Sequence, residues 1–185
     1  MKILVTGGTG FIGSHTVVEL ISQGHEIMVI DNLSNSRSNV IGKIEKITGS
    51  SLTFNQVDLL DKKKLNKVFS ENTFQAVIHF AGLKSVEESR ISPLDYYSNN
   101  FNSALNLLEI MDQNNVKKII FSSSATVYGD NKQTPIKEDS VLSPINPYGR
   151  SKMFIEDLLR DIYISDNRWK INILRYFNPI GAHHS

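Results

Sequence analysis

The 185 residues carry 20 lysines and arginines against 19 aspartates and glutamates, a formal net charge of +1, and contain no cysteine. Such a length predicts one domain that buries about 70% of the unfolded chain's surface. Near-balanced charge argues against a nucleic-acid partner held by electrostatics, and the lack of cysteine excludes thiol catalysis, cysteine metal sites and a disulfide framework.

The chain opens Met1-Lys2-Ile3-Leu4-Val5 and meets glycines at once, so no secretory or transit segment is expected. No apolar run approaches the roughly 18 residues that span a bilayer, and the expectation is a soluble, cytoplasmic protein. Short β-branched runs alternate with longer segments of helical period. Strands are predicted near 2–6, 26–30, 52–56, 75–80, 117–121 and 170–175, and helices near 11–23, 38–48, 61–71, 93–114 and 147–165. This alternation predicts an α/β fold, a doubly wound, Rossmann-like parallel sheet that binds ligands at the carboxyl ends of its strands.

The first predicted strand runs into Val5-Thr6-Gly7-Gly8-Thr9-Gly10-Phe11-Ile12-Gly13. Glycines at 7, 10 and 13, between a strand and a helix, allow a tight turn and let backbone N–H groups approach a pyrophosphate at the helix N-terminus. The second strand delivers Asp31, eighteen residues past Gly13, near the spacing at which a carboxylate meets the adenosine ribose. A carboxylate there repels a 2′-phosphate and favours NAD over NADP, whereas Arg37 in the following loop is the counter-argument. Asp58-Leu59 follow the third strand and Phe80 to Lys84 the fourth, where the two ends of a dinucleotide would pass. Lys62-Lys63-Lys64 reads as the solvated start of a helix. In the helix at 93–114, Leu94, Phe101, Leu105, Leu108 and Met111 read as core, with Asn99 left open.

The fifth strand ends at Phe121-Ser122-Ser123-Ser124, on the same edge as the glycine turn. A loop-like stretch, 129–147, leads to Asn146-Pro147-Tyr148, in which Asn caps a helix, Pro suits its first position, and Tyr148 and Lys152 stand one turn apart. An ammonium beside a phenol favours the phenolate, giving a general base for an alcohol or sugar hydroxyl, with Ser124 placed to hold the same oxygen. Tyr128 and Lys132 share the spacing, but Gly129, Asp130 and Asn131 favour a turn, and Tyr128 reads as packing. His15, His25, His79, His183 and His184 share no helical metal-ligand spacing, and no metal is expected.

The segments VTGGTGFIGSHT, DNLSNS, HFAGLKSVEES, FSSSATVYGD, NPYGRSK and LRYFNPIGAH, in this order, resemble the extended short-chain dehydrogenase/reductases, and among them the UDP-glucose 4-epimerase family. The resemblance implies interconversion of UDP-galactose and UDP-glucose with tightly held NAD. Tyr148 would take the proton of the sugar 4-hydroxyl, Ser124 would hydrogen-bond the same oxygen, and Lys152 would bind the nicotinamide ribose and depress the phenol. Phe11, Ile12, Asp31, Asn32, Leu33, Ser34, Asn35, Ser36, Asp58, Leu59, Phe80, Ala81, Gly82, Leu83, Lys84, Asn99, Ser122 and Phe177 would line the NAD site, and Asn178 would meet the UDP-sugar. It also implies a homodimer through helices 93–114 and 147–165. Family members are longer, so residues 1–185 match the NAD-binding domain and the later segments that supply the substrate domain lie outside this sequence. A 4,6-dehydratase on the same scaffold would need an Asp-Glu pair after Ser124, where Ala125-Thr126 stand. A non-catalytic dinucleotide-binding module is the other reading.

Overall fold

The computed structural model describes all residues except Gln133, in the loop-like stretch, and Ser185. Six strands form one parallel sheet in the order β3-β2-β1-β4-β5-β6. They are β1 (Lys2–Thr6), β2 (Glu26–Asp31), β3 (Thr53–Gln56), β4 (Ala76–His79), β5 (Lys118–Ser124) and β6 (Lys170–Tyr176). The order reverses between β1 and β4, the point at which a doubly wound sheet opens a crevice at its carboxyl edge.

Because both faces of the sheet are covered, β1 is apolar on consecutive positions, and its period of two sorts those residues between two cores. Leu4 points into one core, with Met28, Ile30, Val77, Ile119 and Phe121. Ile3 and Val5 point into the other, with Val29 and Ile78. Helices α1 (Phe11–Ser22) and α2 (Asn39–Thr48) bring Val17 and Ile44 to the second core. Helices α3 (Lys62–Ser70), α6 (Asn102–Gln113) and α7 (Pro147–Ser165) bring Leu65, Leu107, Ile155 and Leu159 to the first.

The expected helix over 93–114 is not continuous. A short α4 (Val86–Ile91) precedes it, and α5 (Pro93–Tyr96) passes through a π-helical turn, Tyr97–Phe101, into α6. The inserted residue rotates the helix face, so Leu94 is 81% exposed instead of buried, while Leu107 and Ile110 join Leu108 and Met111 in the core. Asn100 explains where the insertion falls. Buried, its amide oxygen accepts from the Leu83 N–H (2.8 Å) and its nitrogen donates to the Leu83 carbonyl (3.0 Å) and Ser151 Oγ (3.2 Å). Helix α4 carried an unread signal in Ser85-Val86-Glu87-Glu88: the Ser85 hydroxyl accepts from the Glu88 N–H at 3.2 Å, as an S-x-x-E start does.

β5 runs past the apolar stretch 117–121 to Ser124, the strand end that the serine run marked, because Ser122, Ser123 and Ser124 pair with Leu174, Arg175 and Tyr176 of β6. A 3₁₀ turn, Ala125–Tyr128, follows at once. The start of α7 is as read: Asn146 Oδ1 accepts from the Gly149 N–H at 2.7 Å and Pro147 holds the first turn. Among the described residues no helix is long and apolar enough to cross a membrane.

Candidate functional site

A cavity of about 380 Å³ lies along the carboxyl ends of β1, β2, β4 and β5. Its floor is the turn from β1 to α1. Gly7 has φ of 69°, and a Cβ there would stand 2.5 Å from the Ala81 nitrogen; a Cβ on Gly13 would stand 2.3 Å from the Gly7 carbonyl oxygen. Only glycine lets the turn close this tightly. Among the described residues no side chain caps α1, whose first residues Phe11, Ile12 and Gly13 line the cavity with Gly7 and Gly10. Amide N–H groups at such a helix start suit an anionic oxygen.

Asp31 closes β2 and is 8% exposed. Its Oδ1 accepts from the Leu33 N–H (2.9 Å) and the Ser36 hydroxyl (3.1 Å), and its Oδ2 from the Thr9 N–H (3.3 Å). Thr9 and Ser36 join hydroxyls at 2.7 Å, so the loop after β2 is tied to the glycine turn. Asn32, Ser34 and Asn35 line the cavity, but Leu33 and Ser36 do not; these two hold Asp31 instead. Arg37 is exposed and also outside the lining. Asp58 faces the cavity and accepts from the Asn32 amide at 3.1 Å, with Leu59 beside it. Phe80, Ala81, Gly82, Leu83 and Lys84 form the far wall with Asn99, which the π-helical turn presents there.

Ser122, Ser124, Tyr148 and Lys152 meet at the other end of the cavity, with Phe177 and Asn178 beyond β6. Lys152 is 4% exposed and has no carboxylate ion-paired with it among the described residues. Its Nζ donates to the Ser122 carbonyl at 2.8 Å and lies 4.9 Å from the centre of the Phe121 ring. Burial brings it down from 10.5 to about 8. The sequence led us to expect this ammonium to depress the Tyr148 phenol. In the structure burial raises the phenol above its ordinary value, and a hydrogen bond with Ser124 opposes that rise. Lys152 spends its reach on Ser122 and stands 5.9 Å from the Tyr148 ring centre.

Tyr128 is buried at the end of the 3₁₀ turn, its hydroxyl accepting from Arg175 at 2.7 Å and its ring stacked on Phe177. It packs against the fold, as its sequence neighbours foretold. Lining residues that the sequence reading passed over are Ile30 and Val57, which neighbour the strand-end carboxylates, Val86 and Ser103 on helices, Ser123 and Thr126 around Ser124, and Tyr176 and Pro179 around Phe177. Position beside a residue already singled out was the available signal for most of them. Buried beneath the site, His79 Nδ1 meets the Thr6 hydroxyl at 2.7 Å; burial, aided by the Lys152 charge, brings the imidazole down to about 3 and keeps it neutral. Among the described residues no three His, Asp or Glu side chains gather as a metal site would need.

The profile of the NAD dependent epimerase/dehydratase family matches residues 3–185. The chain is 55% identical over 185 residues to the UDP-glucose 4-epimerase of Bacillus subtilis (strain 168), covering 100% of this chain and 55% of that protein. It is 52% identical over 184 residues to the UDP-glucose 4-epimerase of Dictyostelium discoideum, again with 100% of this chain and 54% of the relative. Among solved structures, the UDP-glucose 4-epimerase from Bifidobacterium longum in complex with NAD+ and UDP superimposes with a TM-score of 0.97 at 49% identity, over 99% of this chain and 55% of that one. The chain thus spans about half the length of the relatives it matches.

Proposed function

Because this chain belongs to the NAD dependent epimerase/dehydratase family, we propose that it forms the NAD-binding part of a UDP-glucose 4-epimerase, acting on UDP-galactose and UDP-glucose through a 4-keto sugar. The observation that carries this reading is one cavity lined at one end by the glycine turn and Asp31 and at the other by Ser124, Tyr148 and Lys152. The fit to a dinucleotide rests on the turn, where a Cβ on Gly7 or Gly13 would collide with backbone, and on the uncapped start of α1. NAD, when bound, would supply the acceptor for the hydride at sugar C4 and return it to the opposite face.

In this reading the α1 amides hold the pyrophosphate, and Asp31 accepts from the adenosine ribose with the lone pairs left beside its loop contacts. Tyr148 takes the proton of the 4-hydroxyl, Ser124 donates to the same oxygen as it becomes a carbonyl, and Asn178 meets the nucleotide sugar. Lys152, buried and cationic below pH 8, binds the nicotinamide ribose. Residues 1–185 serve as the NAD-binding domain, and the share of each relative that the chain covers supports a separate segment completing the sugar pocket. The proposed setting is the cytoplasm. A homodimer through helices 93–114 and 147–165 is supported by exposed Leu94, Phe154 and Ile164.

The test is reduced NAD, read by absorbance after UDP-galactose is added, and a coupled epimerase assay on the 185-residue chain and on the chain extended to its relatives' length. Tyr148→Phe should abolish turnover by at least about a hundredfold, the scale of a lost general base, and Tyr128→Phe should leave it within a few-fold. Equal losses would sink the assignment of the base. The short chain should bind NAD and turn over poorly, since remote binding energy positions the sugar; turnover equal to that of the extended chain would contradict this. The non-catalytic reading is favoured by the half-length match alone, and reduction of NAD on adding UDP-sugar excludes it. Ala125-Thr126 after Ser124 lack the acid and base that a dehydratase needs near sugar C5 and C6.

A further inference from the structure

We infer that Thr126 is a positioning residue that fixes the direction of the Ser124 hydroxyl, leaving its proton to be donated into the cavity that Tyr148 also lines. Ser124 is the N-cap of the 3₁₀ turn, and its Oγ accepts from the Thr126 N–H at 3.2 Å and from the Thr126 hydroxyl at 3.0 Å. A hydroxyl has two lone pairs and one proton. With both lone pairs taken, Ser124 cannot accept from Tyr148 and serves only as a donor, to the phenol oxygen or to a substrate oxygen beside it. A serine left free to rotate could accept the phenol's proton, which would stabilise the neutral phenol. The sense of the hydrogen bond therefore decides whether Ser124 helps or opposes formation of the phenolate.

Packing keeps the arrangement rigid. The Thr126 carbonyl presses on the first turn of α7, where a Cβ on Gly149 would stand 2.8 Å from it and 3.0 Å from Pro144 Cβ. The turn that carries Ser124 and Thr126 is thereby locked against the residue next to Tyr148. The other groups that face the phenol come from elsewhere: Lys152 on α7, 5.9 Å from its ring, and Tyr96 on α5, edge-on at 6.4 Å, whose hydroxyl donates to Glu88 of α4 at 3.0 Å. A change at 126 has two routes to the phenol, through Ser124 and through the packing on Gly149, and the Ser124→Ala background separates them.

This inference rests on the proposed roles of Ser124 and Tyr148, and its test needs neither NAD nor sugar. The Tyr148 phenol is titrated in the whole chain by NMR of carbon-labelled tyrosine, its resonance assigned by loss in Tyr148→Phe. Thr126→Val should raise the phenol pKa by roughly half a unit to one unit, the share of one hydrogen bond. Thr126→Ser, which keeps the hydroxyl, should restore the wild-type value. On a Ser124→Ala background Thr126→Val should add nothing. If valine prevents folding, as judged by circular dichroism, Thr126→Ala carries the same expectations. An unchanged phenol in the folded variant, or an equal shift with and without Ser124, would overturn the inference. If instead the titration shifts as expected while Tyr148→Phe retains full turnover, the catalytic reading fails and the hydroxyl orientation stands.

Discussion

Replacing Lys152 with methionine separates the energetic consequence of a buried cation from its chemical use. The side chain is 4% exposed, and its ammonium is stabilised by the Ser122 carbonyl and by the faces of the Phe121 and Tyr148 rings. A fall from 10.5 to about 8 means that burying the charged form costs about 3 kcal/mol relative to the unfolded chain. Methionine fills a similar volume without charge. It removes that cost, but the Ser122 carbonyl loses its donor and the Phe121 ring its cation, which gives back about 1 to 2 kcal/mol. The variant should therefore be more stable than the parent by about 1 to 2 kcal/mol at pH 7, and it should bind NAD worse.

The pH dependence carries the sharper test. Below pH 8 the lysine is charged in both the folded and the unfolded chain, and the full cost applies. Between about 8 and 10.5 the unfolded lysine holds a proton that the folded one has released, so stability of the parent rises with pH relative to the variant. The gap should shrink through that window and reverse near its upper end, where neutral Lys152 keeps its hydrogen bond and methionine has none. Urea unfolding at pH 7, 9 and 10, followed by the fluorescence of the single tryptophan, Trp169, buried at 2% exposure, measures it. A gap that is constant with pH, or a variant less stable at pH 7, would refute the reasoning.

Gly13→Ala should spread the β1–α1 turn, since its Cβ would meet Gly7 O at 2.3 Å and Gly8 Cα at 2.8 Å, and isothermal titration should show NAD affinity reduced by at least about a hundredfold, as a displaced phosphate loop implies. The contrasting Gly42→Ala, inside α2 with open space around its Cβ, should stabilise the chain by about 0.5 to 1 kcal/mol in the same urea assay and leave NAD binding unchanged. Glu156→Gln should cost about 3 kcal/mol, because Arg175 loses a fully buried carboxylate that it holds at 2.7 Å. Although burial raises the Glu156 carboxyl, hydrogen bonds from Arg175, Ser123 and Arg160 bring it below its ordinary value. Its stabilisation is thus complete above the unfolded value near 4.5 and lost as pH falls through the lower folded value, so the gap between parent and Gln variant should close in acid; a gap that widens there would contradict the pairing.

What the sequence disclosed depended on how local each signal was. The alternation of strands and helices was legible because a parallel sheet covered on both faces makes its strands continuously apolar, as Ile3-Leu4-Val5 do. Gly7 and Gly13 were legible because close backbone approach admits no other residue, and Tyr148 with Lys152 because Asn146-Pro147 announce a helix start beside them. The π-helical turn was hidden: its cause is Asn100 reaching Leu83 and Ser151, seventeen and fifty-one residues away, and that contact turned Leu94 outward. The partner of Lys152 was hidden for the same reason. Spacing put its ammonium near Tyr148, while the fold gave it the carbonyl of Ser122, thirty residues back along the chain.

The contacts of α7 with β5 explain why the candidate base and the strand-tip serine hold a fixed relation. Tyr148, Lys152 and Glu156 occupy successive turns of one helix face, and the last two each hold one of the consecutive serines that end β5. Tyr148 lines the cavity together with Ser124, Lys152 donates to the Ser122 carbonyl, and Glu156 accepts from the Ser123 hydroxyl at 2.5 Å. Apolar contacts alone would tolerate a small slide of the helix along the strand. Here a slide would strand a buried cation and a buried carboxylate together, at a cost of several kcal/mol for each unpaired charge. Arg175 extends the lock to β6, binding Glu156, the Tyr128 hydroxyl and the Glu138 carbonyl, and Tyr128 in turn stacks on Phe177 at the cavity edge. Tyr128 therefore belongs to the same assembly as Tyr148: it anchors the wall of the cavity that Tyr148 lines.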